Sequence, residues 1–524
     1  MENKTVPLVI LIAVLLVVIT IIFKWPCYMK RRKLPPGPTG FPIFGCLLQM
    51  LLNKPTFRWI HSVMDDMNTE IACIRLGGVH VIPVTSPELA QVFLKNHDGT
   101  FASRPDCMSG RLSSYGYLNA VLTPMGDQWK KMRKVLAENI LSPAKHHQFH
   151  DKRMEEADDL VRYVYNQCKN SLEAGGLVNV RIAAQQYCGN VIRRLIFNKK
   201  YFGNGKEDGG PGPEEEEYIA AVFTILNIVY GFGIADYISW LEIFDFDGYK
   251  GTLKKAIASL AKFHDPEIDG RIQMWEKGVK AMEEDILDVL INLKDSEGAP
   301  LLTIEEIKAL IIEITVATVD NPSNAIEWAL AEMINQPEIL KRASEELDIV
   351  VGRDRLVQES DLRYLNYVKA CAREAFRIHP LSPFNLPHVS IENATVGGYF
   401  IPKGSRVLLS RHGLGRNPRI WEEPLKFKPE RHLKDDGSDV VLTDSNLRML
   451  SFSIGMRGCA GVLLGSTMTT MLFARLIHGF TWNAPPDVPN IDLTESEGDL
   501  FLAKPLLALA KLRLSEHVYQ QLGN

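Results

Sequence analysis

Apolar residues follow three patterns along this chain of 524 residues. Residues 6–23, VPLVILIAVLLVVITIIF, form an uncharged run of 18, long enough for a short membrane-spanning helix. Trp25 follows at the expected interface, then Lys30, Arg31, Arg32 and Lys33, with only Lys4 on the other side. The positive-inside rule therefore places the rest of the chain in the cytosol. The alternative, a cleaved signal peptide, fits less well, because the run exceeds an ordinary apolar core and no small-residue cleavage site follows.

A second pattern begins after KLPPGPTGFP (33–42), where proline and glycine stop any helix and make a stiff hinge. Downstream, helical periodicity dominates, so the expected fold class is mainly α. The third pattern is sparse: strand-like runs such as IACIRLGGVHVIPVTS (71–86) and GSRVLLSR (404–411) predict a minor β-sheet. The expected division is an anchor over 1–24, a basic and Pro-rich hinge over 25–42, and one body over 43–524. GNGKEDGGPGPEEEE (203–217) reads as an exposed loop between helices. The longest helical pattern starts at Thr303, which forms a capping box with Glu306, and runs some thirty residues. Pro322 stands in its middle, at a cost of about 3 kcal/mol in a helix interior, so it implies a kink or a function.

Composition narrows the chemistry. The formal net charge of -4 gives no reason to expect nucleic acid as a partner. Eight scattered cysteines without a CxxC pair argue against a disulfide framework or zinc site, and for a reducing compartment. Cys459 differs from the rest, since SFSIGMRGCAG (451–461) surrounds it with three glycines and Arg457. Such a loop offers main chain to a flat cofactor, and the arginine can pair with a cofactor carboxylate. Upstream, WKKMRK (129–134) puts Trp129 and Arg133 on one helical face and Lys130, Lys131 and Lys134 elsewhere. REAFRIHP (373–380) pairs Glu374 with Arg377 at i, i+3, and FKPERHL (427–433) supplies Arg431 for the same carboxylate.

Phe452, Gly455, Arg457, Cys459 and Gly461 spell F-x-x-G-x-R-x-C-x-G, which resembles the haem-ligand loop of cytochrome P450. The Glu374–Arg377–Arg431 set, Trp129 with Arg133, the hinge and the anchor follow in that family's order. The resemblance covers essentially the whole chain and makes 43–524 a haem-thiolate catalytic domain. It implies that Cys459 is the thiolate ligand of haem b iron, whose electron donation favours O–O cleavage. It also implies that Trp129, Arg133, His388 and Arg457 hold the haem propionates, and that Phe452 belongs to the cofactor loop.

The long helix departs from the family's usual [AG]-G-x-[DE]-T-[ST]. Thr318 replaces Gly, Asp320 is kept, Asn321 replaces the Thr and Pro322 follows. VDNPSNAIEWALAEMINQPE, NLPHVS, LSRHGLGRNP, KFKPERHL and HGFTWNAPP resemble the plant amino-acid N-monooxygenases that form aldoximes, although Met456 stands where that group usually has Arg or Lys. This resemblance implies double N-hydroxylation of an apolar L-amino acid (Phe, Leu, Ile or Val type) to an (E)-aldoxime. It also implies O2 and, for each oxidation, two electrons from NADPH passed through a membrane-bound reductase, at the endoplasmic reticulum membrane, with a single pass and the body facing the cytosol. Thr318, Asp320 and Asn321 become the expected catalytic residues, the last with Pro322 opening an oxygen groove and replacing the usual threonine in proton delivery. Arg104 and Arg111 are candidates for the substrate carboxylate, with a fold role in its loop the alternative for Arg104, and the Lys130/Lys131/Lys134 face for reductase docking or simple solvation. Two other readings stay open: an isomerase or dehydratase without oxygen activation, and a membrane-tethered haem sensor.

Overall fold

The computed structural model describes residues 33–169, 176–434 and 436–522. The expected anchor, residues 1–24, lies outside them, as does the hinge up to residue 32. Among the described residues no helix is long and apolar enough to cross a membrane.

The body is mainly helical and is organised around one helix, Ile304–Asn335, of 32 residues and so about 48 Å long. Its start is the predicted capping box: Glu306 N–H donates to Thr303 Oγ1 (3.2 Å) and Thr303 N–H to Glu306 Oε2 (2.8 Å). Apolar residues occupy nearly all its faces, as a helix needs when it is enclosed by others. It packs along Val180–Phe197, Asn366–Ile378 and Val462–Gly479, and these helices close the main hydrophobic core.

Three small sheets flank this core. The four-stranded one runs Ile74–Leu76, Val79–Val84, Arg406–Leu409, His388–Val389, with the two middle strands parallel and Val81 opposite Arg406. It contains both predicted strand runs and fixes His388 opposite Val407. Leu177–Asn179, Leu507–Leu512 and Phe480–Asn483 make the second sheet. The third is a hairpin whose two-residue Gly397-Gly398 turn has positive φ at both positions, where glycine is favoured.

The acidic 203–217 segment differs from expectation. Helix Pro213–Val229 already begins inside it, with proline in its first turn. Glu215 is buried and accepts the N–H groups of Phe202 and Gly203, so part of the run caps and folds the segment rather than solvating it.

Candidate active site

The loop before helix Val462–Gly479 is tied by its own backbone and by groups around it. Cys459 N–H donates to Phe452 O (2.9 Å), and Gly458 N–H to Gly455 O (2.9 Å). Gly455 has φ +79°, and a Cβ there would meet Asp98 Oδ2 at 2.6 Å. That same oxygen accepts the Met456 N–H, so residue 456 contributes its backbone whatever its side chain. At Gly465 a Cβ would press on the Phe452 ring at 3.1 Å, so the small residue lets the phenyl lie against the helix.

Cys459 is the one exposed cysteine among the described residues, and its exposure is toward an internal cavity of about 270 Å³. Gly461 N–H donates to its Sγ at 3.3 Å. Burial from bulk water raises the thiol pKa, opposed by that N–H and by Arg133 and Arg411. A coordinated metal cation would remove the burial penalty and make the thiolate the stable form.

Trp129, Arg133, His388, Phe452 and Arg457 all line this cavity. The Arg457 guanidinium sits 4.5 Å from the Trp129 ring centroid and donates to the carbonyls of Ala102, Ala120 (3.0 Å) and Thr123 (2.8 Å). Burial, then Arg104 and Arg133, bring its pKa down to about 9. His388 is pushed well below the ordinary imidazole value by burial and by Arg104 and Arg457, and its Nδ1 lies 3.1 Å from Phe101 O. The site thus gathers the guanidinium groups of Arg104, Arg133 and Arg457 with a buried imidazole, an arrangement that suits a cofactor carrying two carboxylates. Haem b fits both the thiol and this charge excess.

Over the cavity runs the middle of the long helix, where Val316, Ala317, Thr318, Asn321 and Pro322 face inward. The helix continues through Pro322 rather than ending there. Side chains supply carbonyl partners around it: Thr318 Oγ1 to Ile314 O (2.6 Å), Asn321 Nδ2 to Ala317 O (3.2 Å) and Ser323 Oγ to Val319 O (2.8 Å). No described side chain donates to the Thr318 carbonyl, the partner that the N–H of an ordinary residue 322 would take.

The three expected catalytic residues are not together. Thr318 and Asn321 line the cavity under the helix, and Asp320 does not. Asp320 instead lines a second cavity, of about 590 Å³, with Ser382, Asp499 and Phe501. It is only 2% exposed, its Oδ1 has no partner, and burial with nearby Asp499 raises its pKa well above the carboxylate range.

Sequence reasoning missed Glu313. It lies two turns before Asn321 on the same helix, lines the cavity, and accepts the N–H groups of Ala120 (2.6 Å) and Val121 (3.2 Å). Burial pushes its carboxyl up to about 7, against those N–H groups and Arg133 and Arg457. A single acid within the otherwise uncharged stretch 309–319 was the available signal.

Of the two arginines named for the substrate carboxylate, Arg104 takes its alternative fold role and Arg111 needs correction. Arg104 lines the cavity, but it donates to Val121 O (3.0 Å), Leu386 O (2.8 Å) and Pro387 O (2.9 Å), and so holds the loop. Arg111 pairs with Glu242 at 2.6 Å, outside the cavity lining, because its short helix turns that position outward. In the lysine face, Lys131 is tied to Glu306 (2.7 Å), leaving Lys130 and Lys134 in looser pairs with Asp127 and Glu138.

Glu374, Arg377 and Arg431 meet as predicted: Arg377 Nη2 and Arg431 Nε reach Glu374 Oε1 at 2.7 and 2.9 Å. His432 joins them, 2.7 Å from Oε2. The sequence reading had not included it.

The cytochrome P450 family model matches residues 35–511. The chain is 59% identical over 492 residues to isoleucine N-monooxygenase 1 of Lotus japonicus, covering 94% of this chain and 92% of that protein. It is also 59% identical to a phenylalanine N-monooxygenase of Prunus mume, over 94% of this chain and 92% of that one. With the tyrosine N-monooxygenase of Sorghum bicolor the identity is 55%, over 95% and 89%. A zebra fish cytochrome P450 structure with progesterone superposes with a TM-score of 0.70 at 22% identity, over 88% of this chain and all of that one, and agrees in fold. The chain therefore belongs to the cytochrome P450 family, in the branch of the amino-acid N-monooxygenases, and is a haem-dependent oxidoreductase.

Proposed function

We propose that this enzyme hydroxylates the amine of an apolar L-amino acid twice and releases the (E)-aldoxime. Each hydroxylation consumes one O2 and one NADPH. One oxygen atom enters an N–H bond and the other leaves as water. The N,N-dihydroxy acid then loses CO2 and water, leaving R–CH=N–OH. Haem, held by Cys459, supplies the oxygen activation. The observation that carries the reading is the Thr318–Pro322 face over the cavity, in a chain that is 52–59% identical to named amino-acid N-monooxygenases.

Within this scheme Trp129, Arg133, His388 and Arg457 hold the cofactor carboxylates. Asn321 and the Thr318 carbonyl position water or the substrate amine at the helix face. Asp320, whose pKa burial raises, is a proton store behind that face rather than a group in contact with substrate. Ile225, Leu226, Val229, Val316 and Leu386 line the cavity and suit an apolar side chain.

The membrane belongs to the same reading. The apolar run over 6–23 anchors the chain in the endoplasmic reticulum with its body in the cytosol. Exposed Ile43, Leu48, Leu52, Trp240, Ile243 and Phe244 support it, since their neighbours Leu47, Met50, Ile238 and Leu241 share one apolar cluster. NADPH reaches the enzyme through a reductase, for which exposed Lys130 and Lys134 offer a basic edge.

The test is to incubate microsomes containing the enzyme and a reductase with NADPH and L-Phe, L-Leu, L-Ile or L-Val separately. At least one aldoxime is expected, with the N-hydroxy amino acid accepted as an intermediate. Carbon hydroxylation alone, or turnover of fatty acids or terpenes instead, would move the chain to another activity.

A further inference from the structure

An α-amino acid brings a carboxylate as well as an amine into the cavity, and an anion taken out of water needs a fixed cation. Four arginines line that cavity: Arg104, Arg133, Arg411 and Arg457. Arg104 and Arg457 each donate to three backbone carbonyls. Arg133 shares its helix face with Trp129, whose ring lies 4.5 Å from the Arg457 guanidinium, so it belongs to the cofactor-carboxylate cluster. Arg411 remains.

Its surroundings are those of a placed side chain. Arg411 N–H donates to Pro383 O (2.9 Å), and Nε to Asn385 Oδ1 (2.6 Å). Asn385 is itself held, donating through Nδ2 to Ser453 Oγ at 3.2 Å, and both residues line the cavity. The turn that follows is locked. Ser410 Oγ accepts the Gly413 N–H (2.7 Å), and a Cβ on Gly413 would lie 2.3 Å from Thr85 Cγ2. With Nε anchored, the two Nη groups remain as an end-on fork, the geometry that matches a carboxylate. Among the described residues neither Nη has a hydrogen-bond partner, and Asp320, close enough to feel its charge, forms no ion pair with it.

We propose that Arg411, positioned by Asn385, binds the α-carboxylate of the substrate and so selects amino acids over amines. The assignment rests on the amino-acid reading above. It places the acid at the Asn385–Ser453 side of the cavity, beside the Thr318–Asn321 face where the amine is oxidised.

The test uses haem-loaded full-length enzyme with reductase. L-phenylalanine and L-isoleucine are compared with 2-phenylethylamine and 2-methylbutylamine, which lack the carboxyl. Arg411→Gln should raise KM and the spectral binding constant for the amino acids about 10- to 100-fold, the loss of one charge-assisted pair. Amine binding and haem per protein should stay within about twofold, taken as the scatter of such comparisons. Arg411→Lys should fall between the two, and Asn385→Leu should give the same selective loss, more weakly. Equal loss for acids and amines, loss of haem, or an unchanged amino-acid KM in an enzyme that makes aldoxime would overturn the assignment. A wild-type enzyme that makes no aldoxime from any amino acid would remove the functional reading, and this one with it.

Discussion

Two polar regions of the molecule obey opposite rules. Around Glu374 every charge is met. Its two oxygens accept Arg377, Arg431, His432 and the Lys428 N–H, and Arg377 Nη1 continues to Gly415 O and Pro424 O. The Glu374 and Arg377 side chains are completely buried. Around Thr318–Pro322 the helix is left incomplete: a proline removes one N–H, Asp320 keeps an unpartnered oxygen, and three side chains turn back to their own carbonyls. A closed network holds one geometry, whereas spare donors and acceptors are available to water, protons and substrate. The contrast separates the part that pins the 415–432 segment to helix Asn366–Ile378 from the part that works over the cavity.

Variants can break this contrast, and the largest effect is at the cysteine loop. Cys459→Ala should abolish turnover and the thiolate haem spectrum together, since no other described cysteine lines the cavity. An absorption spectrum of the reduced carbonyl complex that still shows thiolate ligation would refute the ligand.

Glu374→Gln comes next. It uncovers a buried arginine, at a cost of about 3–5 kcal/mol, and should be read as collapse of haem-loaded protein rather than as a kinetic defect. Acid titration sharpens the same point. Burial alone would raise the Glu374 pKa, but the hydrogen bonds from Arg377 and His432 bring it to about 2, below the ordinary 4.5. A depressed pKa contributes stability that is complete above pH 4.5 and lost as pH falls toward 2, amounting to about 3 kcal/mol. Soret absorbance followed against pH should show that acid loss in wild type.

The helix face should respond in the opposite manner. Asn321→Ala should leave haem content unchanged but lower aldoxime formed per NADPH several-fold, with peroxide rising to match. Pro322→Ala, the smallest effect, restores an N–H for the Thr318 carbonyl. It should cut coupling by about twofold while raising thermal stability, the reverse of the usual loss on proline insertion. If both variants lose folded, haem-loaded protein in proportion to activity, the proline serves packing and the contrast fails.

Much of this was legible in the sequence, because local rules carry it. The capping box, the Trp129/Arg133 face and the Glu374 pairing need only helical spacing, and Cys459 declares itself by its glycines. What escaped depended on contacts distant in sequence. Arg411 meets Asn385 26 positions away, Glu313 reaches Ala120 across 193, and the Arg111 side chain is turned out by its own short helix. Asp320 was placed with Thr318 and Asn321 by motif, whereas Ser382, Asp499 and Phe501, distant in sequence, enclose it in a different cavity.

The central claim is that this chain uses O2 to oxidise the nitrogen of an amino acid. It is tested most directly by running the reaction under 18O2 with NADPH, reductase and an accepted apolar L-amino acid, and weighing the product. Both nitrogen-bound oxygens come from O2 in this scheme, so the aldoxime should carry one 18O, with two NADPH consumed per product in a coupled enzyme. An unlabelled aldoxime, or label found only on carbon, would contradict it.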